Sequence, residues 1–288
     1  MTKCFCVYAA LFGAVLLTVK ICVAQPLPGL TLREYLERRL ASRVTNKDPF
    51  TSKICDIDGD RLADRVFREY GAVFAASDDV SLPPKCIFRS EQELAAFHKT
   101  LRPKAAVISG FTIELQEAAM NALLDAIEEI QPRHFTPLDG AIAGRRNYTD
   151  TVRIWNSRLI PALNHWVSKG RIQRIEADSA LLMPVADQVA KVTAWEERGI
   201  YFNTGRTGSI FSSVAPPGTS QHLSLLAFDL VQNNDRTVRE VLNRNGWYQT
   251  VVGDTPHFTY LGVVESELPK RGLKPVVRGG HTFWIPKM

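Results

Sequence analysis

Four side chains near the C-terminal end carry the most chemistry in this sequence. His222, Asp229, Asp254 and His257 fall between positions 222 and 257. Imidazole nitrogens and carboxylate oxygens are the donors that catalytic zinc sites use, with three protein ligands and a fourth position kept for water. Two histidines and an aspartate supply such a set, and a second acid nearby can handle a proton. Other hydrolytic nucleophiles have no carrier. The chain holds no H-E-x-x-H, no S-x-x-K and no G-x-S-x-G, which removes the thermolysin-like helix and the common serine nucleophiles. Neither Cys55 nor Cys86 is followed by an obvious catalytic partner. A metal-activated water is the natural nucleophile that remains. The other histidines beyond these two, His98, His134, His165 and His281, read as surface or hydrogen-bonded core residues.

The spacing resembles a known pattern. SQHLSLLAFD (220–229) and DTPHFTYLG (254–262) are similar to the paired S-x-H-x-x-G-x-A-x-D and E-x-x-H motifs of the VanY/VanX-type zinc D-alanyl-D-alanine peptidases. GRRN (144–147) resembles the G-Y-R-S that carries the family's substrate-binding arginine. The resemblance runs over roughly residues 106–288 and is clearest from 140 onward. It implies zinc held by His222, Asp229 and His257, with Asp254 as general base and then acid. It also implies that Arg146 stabilises charge on the scissile carbonyl oxygen, that Ser220 helps to place substrate, and that peptidoglycan stem peptides are the substrate class. Arg145 and Arg153 stand close enough to Arg146 to compete for its role. The implied fold is α+β and hedgehog/DD-peptidase-like, a small antiparallel sheet flanked by helices.

Two positions depart from that pattern. Leu225 stands where the family has glycine. His222 and Asp229 are seven apart, so one uninterrupted strand would point them to opposite faces, and a bend must intervene. A leucine in that bend is expected to keep an ordinary φ, or to leave the turn to Leu223-Ser224. Asp254 stands where the family has glutamate and is shorter by one methylene; a misplacement of about 1 Å in a catalytic group can cost around 100-fold in rate.

The elements that must position these groups read as helices early and short strands late. Leu32, Tyr35, Leu36 and Leu40 recur at helical spacing. Residues 66–76 mix helix and strand signals. RSEQELAAFHKTL (89–101) predicts a short helix, and AAVISG (105–110) a buried strand. Leu115, Ala119, Leu123, Ile127 and Ile130 predict one helix face, ended by Pro132. A further helix carries Val152, Trp155, Leu159 and Trp166 with Pro161 as a break or kink, another runs from Pro184 to Gly199, and a last one spans 237–245. Short strands are expected at 225–231, 257–264 and 282–285. Asp56, Asp58 and Asp60 alternate as in a calcium loop, but Gly59 falls fourth from Asp56 rather than sixth, so an EF-hand fails and a solvated acidic turn is the better reading.

Compartment comes from the N-terminus. Residues 1–24 (MTKCFCVYAALFGAVLLTVKICVA) read as a signal peptide, with an apolar run too short to span a bilayer comfortably and Cys22-Val23-Ala24 as a cleavage site. Residues 25–104 then form a mainly helical N-terminal extension and 105–288 the peptidase domain. Only Cys55 and Cys86 remain in the mature chain, an even pair in an oxidising compartment, which predicts a disulfide closing a loop of about thirty residues and contributing roughly 3 kcal/mol. The protein is expected to be secreted or periplasmic. Its formal charge of +5 suits an anionic cell wall, and no basic block with interleaved aromatics points to nucleic acid. The leading expectation is a secreted zinc D-alanyl-D-alanine carboxypeptidase. A cell-wall-binding protein on a degenerate peptidase scaffold and a zinc peptidase acting on ordinary peptides are the alternatives.

Overall fold

The computed structural model describes residues 29–41, 54–130 and 135–288. The signal peptide expected at 1–24 lies outside them, as do Pro132 and His134. In chain order the helices and strands are α1 (Leu32–Ala41), α2 (Arg61–Tyr70), α3 (Glu91–His98), β1 (Pro103–Ile108), β2 (Phe111–Gln116), α4 (Glu117–Ile130), α5 (Tyr148–Ser168), α6 (Arg174–Leu182) and α7 (Val185–Glu196), then β3 (Ala227–Asp229), α8 (Arg236–Arg244), β4 (Trp247–Tyr248), β5 (His257–Tyr260), β6 (Leu273–Arg278) and β7 (His281–Pro286). The class is α+β with small antiparallel sheets: two hairpins, β1-β2 and β6-β7, and a three-stranded sheet in the order β3-β5-β4. Among the described residues no helix is long and apolar enough to cross a membrane.

One core joins distant parts of the chain. Leu32, Val66, Phe67 and Phe74 share it with Leu123, Phe228, Trp247, Leu268 and Trp284. A second core, built on Trp155, Leu163, Val192 and Trp195, lies between α5, α6 and α7. Cys55 and Cys86 are disulfide-bonded, with Cα atoms 5.3 Å apart. The acidic turn is structural: Asp60 caps α2 by accepting from the amides of Leu62 and Ala63, Asp58 takes a two-pronged contact from Arg33, and Asp56 accepts from the Gly59 amide.

Several expectations need correction. The strand over 105–110 forms, but as half of a two-stranded hairpin it has one covered face, so Ile108 is buried while Val107 is 72% exposed. Leu115 belongs to β2, because α4 starts only at Glu117. Residues 66–75 are helical, the end of α2 followed by a 3-10 turn. Pro161 does not break its helix; α5 continues through it to Ser168. The proline is exposed, so the carbonyl it leaves without a donor can turn to water. Helix α6 and strands β2, β4 and β6 had no reading in the sequence.

Candidate metal centre

The site begins with a register. In the antiparallel pair β3-β5, Asp229 lies directly opposite His257, so their side chains leave the same face of the sheet. His222 reaches that face from a 3-10 turn, Gln221–Ser224, one bend before β3. The bend is Leu225, with φ +57° and ψ +28° in the left-handed region. The expectation of an ordinary φ is therefore wrong. Leu225 adopts a conformation that glycine would adopt freely, at a cost of about 1–2 kcal/mol. Its side chain is 1% exposed and packs with Phe88, Leu94, Phe97, Leu101 and Leu223, which offsets that cost.

Three ligand atoms converge. His222 Nε2 is 3.1 Å from His257 Nδ1 and 3.2 Å from Asp229 Oδ1, and His257 Nδ1 is 3.0 Å from the same oxygen. All three residues are buried. The outer nitrogens fix the tautomers. His222 Nδ1 donates to the carbonyl of Gly144 at 2.8 Å, and His257 Nε2 donates to Gln221 Oε1 at 2.7 Å. Each neutral ring then turns a lone pair inward, toward a carboxylate oxygen. Three acceptors within hydrogen-bond distance of one another, with no donor between them, repel unless a proton or a cation sits among them. A small metal ion fits this triangle, and His222, Asp229 and His257 are the residues that could hold it.

No known family profile, no curated protein and no solved structure matches the chain. The reading of the site rests on its own geometry.

Electrostatics keeps His222 and Asp229 in the ligating form. Desolvation, with the positive charge of Arg146 adding to it, pushes the His222 imidazole down to about 4 against the pull of Asp229. Desolvation alone would raise Asp229, but His222, His257 and Arg146 outweigh it and hold the carboxyl well below its ordinary range. Both are unprotonated at neutral pH, so a cation would displace few protons on binding.

Arg146 is the arginine at the site. Its Nη2 donates to Asp229 Oδ2 at 2.5 Å and its Nε to the Ile142 carbonyl at 3.2 Å. Nη1 makes no hydrogen bond among the described residues. Arg145 instead forks onto Glu114, and Arg153 pairs with Asp150 at an exposed position. Asp254 occupies the turn before β5, its carbonyl accepting from the His257 amide at 3.3 Å. The residue is exposed and its carboxylate makes no hydrogen bond among the described residues. Desolvation raises its pKa, the charge of Asp229 raises it further, and His257 and Arg146 pull against both. Ser220 lines a small cavity with Tyr70, Cys86, Phe88 and Gln221, which none of the three candidate ligands borders.

The sequence reading missed the groups behind the ligands. Gly144 has no room for a side chain, since a Cβ would lie 2.8 Å from Ile113 Cγ2 and 3.1 Å from the Glu114 carbonyl. That close passage against β2 accompanies the carbonyl's reach to His222. Gln221, Thr250 and Thr259 form a buried polar cluster beside His257. The remaining histidines among the described residues keep structural roles: His98 bonds to the Leu223 carbonyl, His165 meets Trp166 edge to face, and His281 sits between Gln249 and Asn234.

Proposed function

We propose that this protein is an exported zinc metallopeptidase of the D-alanyl-D-alanine carboxypeptidase type, hydrolysing a peptide bond in peptidoglycan stem peptides on a hedgehog/DD-peptidase-like fold. The observation that carries the reading is the triangle of three inward acceptors. Tetrahedral zinc with ligand bonds of about 2.0–2.1 Å separates its donor atoms by roughly 3.3 Å. The edges of 3.0, 3.1 and 3.2 Å are close to that. The substrate class rests on the resemblance of the paired motifs, and the net charge of +5 agrees with an anionic wall. The Cys55–Cys86 disulfide agrees with an oxidising compartment.

Zinc in such a site supplies a water acidified to a pKa of about 7 and a polarised carbonyl. The protein's own groups divide the remaining work. Asp254 takes the proton from the attacking water on its carboxylate and returns it to the leaving amine. Arg146 steadies Asp229 through Nη2 and leaves Nη1 to meet the negative charge that grows on the scissile oxygen. His222 and His257 keep their orientation, each held by the acceptor behind it.

Mass spectrometry of purified muropeptides incubated with zinc-loaded protein tests the reading. Loss of the terminal D-alanine is expected, abolished by His257→Ala and reduced at least 100-fold by Asp254→Asn. Unchanged masses across several stem lengths would reject the carboxypeptidase and favour a wall-binding module. Cleavage of ordinary peptides alone would redirect the substrate class.

A further inference from the structure

Beside the candidate ligands sits a side chain whose every polar atom is committed. Gln221 is 3% exposed. Its Nε2 donates to the Tyr70 carbonyl at the end of α2, at 2.7 Å. That bond decides which way the amide faces and turns Oε1 toward β5. There Oε1 accepts from His257 Nε2 at 2.7 Å and from Thr259 Oγ1 at 2.5 Å. Thr250 Oγ1 lies 2.7 Å from Thr259 Oγ1 and 3.1 Å from the same amide oxygen. Both threonines are wholly buried, and Thr259 is two residues from His257, on the same face of β5. An imidazole between these partners has one way to satisfy itself: Nε2 carries the hydrogen and Nδ1 keeps its lone pair. His222 is set in the opposite sense, with hydrogen on Nδ1 and the lone pair on Nε2, by the Gly144 carbonyl.

We propose that Gln221 is the positioning residue that locks His257 as an Nδ1 ligand, anchored in turn by the Tyr70 carbonyl and the Thr250–Thr259 pair. The inference rests on the metal reading of the trio and adds to it the atom by which His257 binds. It also couples the metal to the N-terminal part of the chain, because the amide that orients His257 hangs from the last residue of α2. Groups that orient a ligating histidine typically change metal affinity by about 10- to 100-fold when removed.

The test measures cobalt(II) and zinc binding directly, by competition with a chromophoric chelator, on the full chain. Wild type, Gln221→Leu and Gln221→Glu are compared. The leucine removes the acceptor at similar size; the glutamate, protonated in this buried position, donates its O–H to the Tyr70 carbonyl as the amide does and keeps an acceptor for His257 Nε2. A loss of about 10- to 100-fold for leucine, largely restored by glutamate, is the expected result. Equal affinity in wild type and Gln221→Leu overturns the role of Gln221 while leaving the metal site intact. An equal loss in both variants also overturns it, since packing rather than the acceptor would then be responsible. Absence of metal binding in wild type overturns the metal reading itself, and this inference with it. Should the leucine variant fail to fold, long-range proton–nitrogen spectra of histidine-labelled, zinc-loaded wild type decide the matter. Hydrogen on Nε2 of His257 and on Nδ1 of His222 supports the lock, and hydrogen on Nδ1 of His257 refutes it.

Discussion

Leu225 offers a measurement of what the bend costs. It sits at φ +57°, 1% exposed, between the two ligands it brings together. Leu225→Ala removes the packed side chain and keeps the left-handed backbone, so it should destabilise by about 2–5 kcal/mol. Going on to glycine deletes one more buried methyl group, about 0.8 kcal/mol, and loosens the unfolded chain by about 0.4–1 kcal/mol. It also releases the left-handed penalty of about 1–2 kcal/mol. Those changes largely cancel, so Leu225→Gly and Leu225→Ala should agree to within about 0.8 kcal/mol when the three estimates are combined. The adjacent Leu226 is the control: it is wholly buried and lacks a positive φ, so its glycine variant should be less stable than its alanine variant by about 1.5 kcal/mol. Urea unfolding followed by tryptophan fluorescence reads all four variants, with equal m-values required for the comparison. A glycine–alanine gap at 225 as large as at 226 would refute the strained bend. Leu225→Gly should also bind metal as tightly as wild type, because the bend rather than the leucine side chain aims His222.

Three further outcomes follow from the site. Metal-free protein should lose about 3 kcal/mol as pH falls from 6.5 to 4: the His222 imidazole titrates near 4 when folded, so the unfolded chain takes up that proton first, and Asp229 adds its own loss only below the ordinary carboxylate range. Unfolding midpoints that stay flat between pH 7 and 4 would contradict the buried neutral histidine. Zinc at 1,000 times its dissociation constant should stabilise the fold by about 4 kcal/mol, an increment that a strong chelator reverses; calorimetric melts with and without chelator check it. Arg146→Met should weaken metal binding by about 10- to 100-fold, since Asp229 Oδ2 loses its partner, and chelator competition on that variant would expose an unchanged affinity if the ion pair were incidental.

The candidate trio was legible because His222, Asp229 and His257 carry ligating side chains at a spacing that resembles a known paired motif, and the structure brings the three together. The register that brings Asp229 opposite His257 was half legible: strands were expected over 225–231 and 257–264, but their true extents, 227–229 and 257–260, are set by the bend at Leu225 and by the chain leaving the sheet after Tyr260. The bend itself misled. Leucine rarely adopts a left-handed conformation, and only the buried contacts of its side chain explain why this one does. Groups that act through the backbone left no signature at all. The Gly144 and Tyr70 carbonyls could belong to any residue, and a single glutamine between a serine and a histidine has no spacing to recognise. Strand β1 failed for a simpler reason: an apolar run looks the same whether its second face is covered or, as at Val107, open.

The arrangement has an energetic consequence that joins these points. His222, Asp229 and His257 come from a turn and two strands, and the Gly144 carbonyl that orients His222 and the Tyr70 carbonyl that anchors Gln221 behind His257 lie far away in the chain. Each ligand is held from behind by a satisfied hydrogen bond, so the inward lone pairs cannot relax by rotating their rings without orphaning a buried donor. Without a proton or cation among them the three acceptors would repel, and the affinity of a cation would include the relief of that repulsion. The same logic explains why Arg146 binds Asp229 through the oxygen that faces away from the histidines. A guanidinium on Oδ1 would satisfy the triangle by itself and leave nothing for a metal to do; on Oδ2 it fixes the carboxylate while leaving Oδ1 to the trio.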